Sequence, residues 1–226
     1  MPSLHQKSTL ADHQEFVQQV YGLNNDRYYT TPDMLTQVQR FCMRGLKGIR
    51  KGDKKKSTLN LMITLSWFMS LMNQFHIDIQ DATAKRFPNL CSYCGNCPCV
   101  CKKEKRKKRK KTVMKKGRMP KTVAEFQKMF SVIYPSTTRT LEDAGIHLAE
   151  ELGELAEAVL TYRGHREGKD FEKISEEAAD FISCLLGVCN SWNIDVGKEL
   201  VRLFSQNCHV CKKAPCQCTF VFVSSF

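Results

Sequence analysis

Two short acidic stretches decide the fold: EELGELAE at residues 150–157 and EEAAD at residues 176–180. On a helix, residues three or four positions apart share one face. Each stretch therefore sets two carboxylates one turn apart on the same side: Glu151 with Glu154, and Glu177 with Asp180. Apolar residues fill the turns between them, so the carboxylates lie beside a packing face, where they are costly unless a cation is bound. The stretches predict two neighbouring helices with a cation between them.

The chemistry of this acidic set points to magnesium. Four carboxylates supply hard oxygen ligands, which Mg²⁺ prefers, especially where phosphate oxygens and waters complete an octahedron. A magnesium ion held in this way is typical of phosphoryl or nucleotidyl chemistry. The alternative is that the glutamates only solvate helix faces, as glutamates usually do. A single ExxE motif favours that alternative, whereas two acidic blocks across a short glycine-containing loop favour a metal site.

The formal charge of +12 is concentrated in one segment of the 226-residue chain. The chain has 35 basic and 23 acidic residues. Residues 102–121 contain 13 of the basic residues and one of the acidic residues, so 22 of each lie elsewhere. This segment is predicted to be a charged linker that binds polyanions, including nucleic acid, without sequence specificity. It contains no aromatic residue, so base stacking on it is not expected. A solvated spacer is the alternative.

The distribution of apolar residues predicts a globular protein and no membrane partner. Hydrophobic residues make up 42% of the chain, enough to build a core. The longest apolar stretch, residues 59–72, is interrupted by polar residues and is shorter than a membrane helix. The first nine residues lack the apolar segment of a signal peptide. We therefore expect a soluble cytoplasmic protein, or a nuclear one in a eukaryotic cell, where the basic segment is a candidate localisation signal.

Eight of the twelve cysteines form two clusters with the same spacing, CxxCxxxxCxC. The first cluster is Cys91, Cys94, Cys99 and Cys101, and the second is Cys208, Cys211, Cys216 and Cys218. Four thiolates so close together suit a tetrahedral structural zinc, whereas adjacent CxC pairs would strain a disulfide. The sequence predicts about two zinc ions per chain. Cys97 is an alternative ligand in the first cluster, and Cys42, Cys184 and Cys189 are expected to be buried apolar residues.

The two clusters belong to an internal repeat. At an offset of 117, Phe87 matches Phe204 and all four cysteines coincide. Upstream the offset becomes 110 and pairs Glu15–Phe16 of the first copy with Glu125–Phe126 of the second. The chain is thereby divided into a first copy (residues 1–101), the basic linker (102–121), a second copy (122–218) and an apolar tail (219–226), which we expect to clasp the body.

Hydrophobic spacing predicts that each copy is all-helical. In the second copy we expect helices over residues 122–133, 141–163, 171–190 and 195–205, with Gly164 and Gly168 breaking the chain between the acidic helices. The corresponding helices of the first copy are expected over residues 34–49, 57–75 and 78–87.

The second copy resembles the MazG-type all-α nucleoside triphosphate pyrophosphohydrolases. ExxE, a gap of 22 residues and ExxD, in the wording EELGEL and EEAADFI, are similar to that family over residues 122–205. Residues 12–88 are less similar, although KRFP resembles the family's helix-four ending. The resemblance implies hydrolysis of an NTP or dNTP to the monophosphate and pyrophosphate. It implies these magnesium ligands: Glu151, Glu154, Glu177 and Asp180. One of these acids, or Glu150, would orient the attacking water.

The first copy departs from the motif at every acidic position. Alignment of the repeats places Phe41 at Glu151, Arg44 at Glu154, Asn60 at Glu177 and Ile63 at Asp180. Family members pair such units as dimers, so the resemblance implies two MazG-like repeats in a pseudo-dimeric four-helix core, each ending in a four-cysteine zinc knuckle. The first copy would be a structural pseudo-subunit, with Arg44 filling the vacant metal position. The sequence leaves further oligomerisation open.

Two basic residues of the last helix, Lys198 and Arg202, are candidate phosphate ligands, because the family carries basic residues there. A different class of function also remains: a zinc-stabilised nucleic-acid-binding or adaptor protein that keeps the acids as a relic. The intact acids of the second copy, against their complete loss in the first, favour the enzyme.

Overall fold

The computed structural model describes residues 2–104, 119–137 and 139–218, and the helices found there follow one another as two sets of four. The first copy contains α1 (Leu10–Tyr28), α2 (Thr31–Arg50), α3 (Lys54–Gln74) and α4 (Ile79–Arg86). The second contains α5 (Val123–Ile133), α6 (Leu141–His165), α7 (Gly168–Ser191) and α8 (Val196–Phe204). The described residues form no β-strand, so the predicted all-α class is confirmed. Most of the basic linker and the tail at 219–226 lie outside the described residues.

Equivalent helices of the two copies start in the same way. Thr30 caps α2 and Thr140 caps α6, and in each case an aspartate three residues later closes a capping box. A capping box satisfies two backbone N–H groups that a helix start would leave unpaired. The offset of 110 is therefore correct for α2 and α6, the helices that carry the first acidic pair and its first-copy counterpart.

The offset of 110 is wrong for the first helix of each copy. Gln14 donates to the Ile77 carbonyl and accepts from the Ile79 N–H. Gln127 makes the same two bonds, to Ile194 and Val196, so α1 and α5 correspond at an offset of 113. Glu15–Phe16 and Glu125–Phe126 are thus not equivalent. The sequence match failed because α1 has 19 residues against 11 in α5, so the spacing to the following helix differs.

The connection between the two acidic helices is shorter than we predicted from Gly164 and Gly168. Helix α6 continues through Gly164, and Gly168 is the first residue of α7, so neither glycine breaks a helix. The turn is made at Arg166, which takes the left-handed conformation at φ 60° and donates its N–H to Tyr162. Only Arg166 and Glu167 lie between the helices. The result is a close antiparallel hairpin whose inner faces carry the acids.

The last part of each copy packs on the other copy. Within a copy, α2 packs on α3 and α6 on α7, but α4 packs on α7 and α8 packs on α3. The cysteine clusters follow the same exchange: the Cys99 N–H donates to Ile133 of α5, and the Cys216 N–H donates to Val20 of α1. One continuous core results, in which Phe68 and Phe181 meet with ring centroids 4.9 Å apart. Residues of the first copy are thereby brought to the acids of the second.

The length and hydropathy of the helices decide whether any of them could cross a membrane. None of the helices in the described ranges has both the length and the apolar character that a bilayer crossing requires.

Candidate metal centre and neighbouring cavities

The α6–α7 hairpin brings three of the four predicted acids together. Carboxylate oxygens of Glu151, Glu177 and Asp180 all lie within 4.8 Å of one another. The Glu177 side chain is fully buried and Asp180 is 5% exposed. Glu154, one turn beyond Glu151, is exposed at the rim beside Glu177. We call these four residues the acid cluster.

The first copy supplies a cation to the acid cluster. Arg86, the last residue of α4, donates to Asp180 Oδ2 from Nη2 at 2.5 Å and from Nε at 3.2 Å. Its Nη1 lies 3.2 Å from Glu176, and the Arg86 side chain is only 12% exposed. From α7 itself, Lys173 pairs with Glu177. Two cations therefore face four carboxylates of the cluster, which leaves an excess of negative charge.

Burial and this excess of negative charge raise the pKa values of the acids. Burial, followed by the charges of Asp180 and the two neighbouring glutamates, raises the pKa of Glu151 to about 8. Burial also raises the pKa of Asp180 to about 6, despite the opposing charge of Arg86. Burial and the adjacent Glu177 raise the pKa of Glu154 above its ordinary value. The cluster thus favours either protons or an additional cation.

The ligand set fits a hard divalent cation. All the donors are carboxylate oxygens, and no histidine or cysteine belongs to the group. Glu151 Oε2 is buried and has no hydrogen-bond partner among the described residues. Because a buried carboxylate oxygen without a partner is costly, a metal ion is a suitable partner for it.

Three other predicted residues are not brought to the cluster. Glu150 does not belong to the group of converging carboxylates, and its side chain is 60% exposed and lies 4.0 Å from His147 Nε2. Lys198 and Arg202 lie on α8, which packs on α3 and α5, and Arg202 pairs with Glu199. The exchange of helices explains the difference, since α4 of the first copy occupies the place by the acids. Sequence reasoning missed Arg86, for which the KRFP segment was the available signal.

Cavities lie on both sides of the acid cluster. The larger one, of about 610 Å³, is bordered by Glu151 and Asp180 and extends to Cys91 and Cys99 of the first cysteine cluster. The smaller one, of about 290 Å³, is bordered by Glu154, Glu177 and polar residues that include Lys173 and Thr161. Each cavity thus borders two of the four carboxylates.

In each cysteine cluster the four sulfur atoms lie within 4.8 Å of one another, so each could hold a zinc ion, and we call the clusters the first and second knuckles. Two sulfur pairs of the first knuckle lie 3.8 and 3.9 Å apart, and three pairs of the second lie 3.5 to 3.8 Å apart. Four sulfurs about 2.3 Å from a tetrahedral zinc are separated by roughly 3.8 Å. All twelve cysteines lie within the described residues and none of them forms a disulfide there; Cys97 is exposed outside the first group. Cys42, Cys184 and Cys189 are buried, as predicted.

The first copy has no comparable acidic set between α2 and α3, both of which are described in full. Asn60 bonds the Lys56 carbonyl of its own helix, and Ile63 is buried. Arg44 is exposed, with its guanidinium 6.0 Å from the Phe41 ring centroid, so the prediction that it fills a vacant metal position is wrong. The hairpin is closed by glycine instead: a Cβ at Gly48 would lie 2.8 Å from the Ser57 backbone nitrogen. The two helices therefore approach each other closely at Gly48, and Arg44 lies at the surface.

Comparison of the chain with models of known protein families, with characterised proteins and with solved structures finds no match.

Proposed function

We propose that the second copy is a magnesium-dependent nucleoside triphosphate pyrophosphohydrolase of the MazG type, which converts an NTP or dNTP to the monophosphate and pyrophosphate. The observation that carries this proposal is the convergence of Glu151, Glu177 and Asp180 within 4.8 Å between two cavities. Acids that only solvate a helix would face water, whereas Glu177 and Asp180 are buried. The proposal also rests on the resemblance of the acidic motifs to that family.

In this proposal the acid cluster holds the magnesium ion. Glu151, Glu177 and Asp180 are the inner ligands, and Glu154 at the rim completes the set from the side of the smaller cavity. When bound, the ion would neutralise the polyphosphate and activate water for attack. Glu154 is the acid best placed to orient that water and accept its proton, because it is exposed and borders a cavity.

Arg86 and Lys173 change partners in this proposal. Both are now paired with carboxylates that would bind magnesium. A divalent ion at these carboxylates reduces their attraction for the two side chains, which can then donate to phosphate oxygens. Arg86 is suited to this role because its planar fork donates to two oxygens at once.

The first copy serves as a pseudo-subunit in this account, and the two copies form a fused pseudo-dimer. Its α4 covers α7 and delivers Arg86 to the acid cluster. The two knuckles would hold structural zinc ions that fix the chain after α4 and α8. A second copy alone would lack both the cover and the arginine.

The proposal is tested by incubating the purified full-length protein with each of the eight common nucleoside and deoxynucleoside triphosphates and Mg²⁺. We expect release of pyrophosphate and the matching monophosphate from at least one of them. Release of orthophosphate instead, or no turnover with magnesium or manganese, would refute this activity.

A further inference from the structure

The larger cavity has a counterpart in the other half of the molecule. The repeat offsets pair Asp180 with Ile63, Ser183 with Ser66, Cys184 with Trp67, Phe87 with Phe204, Ser92 with His209 and Tyr134 with Tyr21. All the first-named residues border the 610 Å³ cavity, and all the second-named residues border a cavity of about 80 Å³. The two cavities therefore occupy equivalent places between an inner helix and a knuckle.

The difference in volume has identifiable causes. On the small side, Trp67 fills the space and meets Tyr29 edge to face, with ring centroids 4.8 Å apart. His209 fills more of it from the second knuckle and lies 3.4 Å from the Tyr21 hydroxyl. On the large side, these positions are Cys184 and Ser92. Small residues therefore keep one cavity open where aromatic ones close the other.

Buried polar atoms without a hydrogen-bond partner among the described residues also line the open cavity. Arg139 takes the place of Tyr29, is 9% exposed and donates from Nη2 to the Cys184 sulfur at 3.3 Å. Arg139 Nε, His147 Nδ1 and Glu151 Oε2 have no hydrogen-bond partner in the described part of the chain. Buried polar atoms of this kind are normally satisfied by protein, water or ligand. Glu151 Oε2 belongs to the proposed metal site, so Arg139 Nε and His147 Nδ1 are the two atoms that point to a further polar ligand.

Taking the proposed hydrolase function as premise, we propose that this cavity binds the nucleoside moiety of the substrate, with the first knuckle as its wall. A volume of about 610 Å³ falls within the roughly 300 to 1,000 Å³ of small-molecule sites, whereas about 80 Å³ does not. Phe87, Tyr93 and Tyr134 provide aromatic surface for a base and sugar. Arg139, which can only donate, faces an acceptor atom of the nucleoside. The phosphates then lie at the acid cluster.

This assignment gives the degenerate copy a part in substrate recognition. Ser92, Tyr93 and three cysteines of the first knuckle belong to the first copy, yet they border the same cavity as Glu151 and Asp180. The three cysteines are Cys91, Cys99 and Cys101. The second knuckle packs over the closed cavity and has only a structural part. The two knuckles therefore differ in role although their cysteine spacing is identical.

Closing the open cavity with the residues of the closed one tests the assignment. Ser92→His and Cys184→Trp each install the equivalent residue, and His209→Ser makes the converse change in the second knuckle as a matched control. For each protein, KM and kcat are measured with the best nucleotide, together with the inhibition constant of inorganic tripolyphosphate, which has no nucleoside. Zinc content and circular dichroism report whether each variant is folded.

We expect Ser92→His and Cys184→Trp to raise KM about tenfold or more. The inhibition constant of tripolyphosphate should stay unchanged in both, and His209→Ser should match wild type. Should Cys184→Trp fail to fold, Ser92→His decides alone, since residue 92 lies on the knuckle and not inside α7. A folded Ser92→His protein with wild-type KM, or with equally weakened tripolyphosphate binding, overturns the cavity assignment and leaves the hydrolase intact. A wild-type protein that hydrolyses no nucleotide overturns the proposed function and this assignment with it.

Discussion

The α6–α7 and α2–α3 hairpins occupy equivalent places in the two copies. They differ at all four acidic positions, in the residue that the exchanged helix supplies and in the neighbouring cavity. Acids of the second copy are replaced by Phe41, Arg44, Asn60 and Ile63 in the first. The residue delivered by the exchanged helix changes too, from Arg86 on α4 to Leu203 on α8. The neighbouring cavity shrinks from about 610 to about 80 Å³. Carboxylates, counter-ion and cavity are thus present together or absent together, as expected of the parts of one site.

The largest expected effect comes from replacing one acid of the second copy by a neutral residue, since the equivalent position of the first copy is also uncharged. Glu151→Gln should lower turnover by about 100-fold or more, because it removes a ligand of the magnesium ion that would neutralise the polyphosphate and activate water. The folded protein should be at least as stable as wild type without metal, since one of several repelling carboxylates is gone. Steady-state kinetics and urea unfolding check both statements.

A matched control for this variant is Glu172→Gln, which neutralises an exposed glutamate of α7. It should leave both turnover and stability near wild type. Parental activity in Glu151→Gln would remove Glu151 from the metal site.

Removing the first copy altogether should be nearly as damaging. A chain of residues 122–226 lacks α4, which covers α7, and lacks Arg86. The exposed apolar face of α7 should then cause self-association or precipitation, with loss of most activity. Light scattering and activity, with and without residues 1–101 supplied in trans, provide the measurement. A monomeric and fully active fragment would show that the copies do not depend on each other.

Replacing Arg86 by leucine, the residue at the equivalent position 203, should have an intermediate effect. Arg86→Leu leaves the buried Asp180 without its bidentate partner, so metal-free protein should lose about 3 kcal/mol of unfolding free energy. Added Mg²⁺ should restore part of that loss, because it pairs with the same carboxylate. Lys85→Leu is the control, since Lys85 pairs with Asp81 at the surface. Equal stability of both variants would mean that the Arg86 pair contributes little.

The knuckles offer a comparison of structural roles. Wild-type protein purified without chelator should contain about two zinc ions per chain, and Cys208→Ser should contain about one. Cys208→Ser should lower stability and leave KM unchanged, because the second knuckle borders the closed cavity. Elemental analysis, thermal unfolding and kinetics test this together. Absence of zinc from the wild-type protein would contradict the account of both knuckles.

The smallest expected effect is a pH dependence that distinguishes Glu151 from other buried groups. Its pKa is raised from 4.5 to about 8, so its stabilising contribution is present below pH 4.5 and is lost as the pH rises through 8. Burial lowers the pKa of His13 to about 3, which acts in the opposite sense but only below its ordinary value of 6.5. Between pH 6.5 and 8, Glu151→Gln should therefore gain stability relative to wild type. Urea unfolding in magnesium-free buffer measures this gain, and a difference independent of pH would contradict it.

Local features of the site were predictable from sequence, and long-range ones were not. Helical spacing placed Glu151, Glu177 and Asp180 on facing sides, and cysteine spacing predicted both knuckles. Arg86 is 94 residues from Asp180 in the chain, and only the exchange of α4 and α8 brings the two together. The cavity likewise depends on which copy each knuckle packs against. The turn at Arg166 was missed because an arginine in the left-handed region has no strong sequence signal.

Anomalous scattering tests directly whether the second copy alone binds a divalent cation through the acid cluster. Crystals of the full chain grown with Mn²⁺ and a non-hydrolysable nucleoside triphosphate would give an anomalous difference map. We expect a manganese peak between Glu151, Glu177 and Asp180, with Arg86 moved towards phosphate, and no peak between α2 and α3. A cluster without manganese, in which Arg86 still pairs with Asp180, would contradict it.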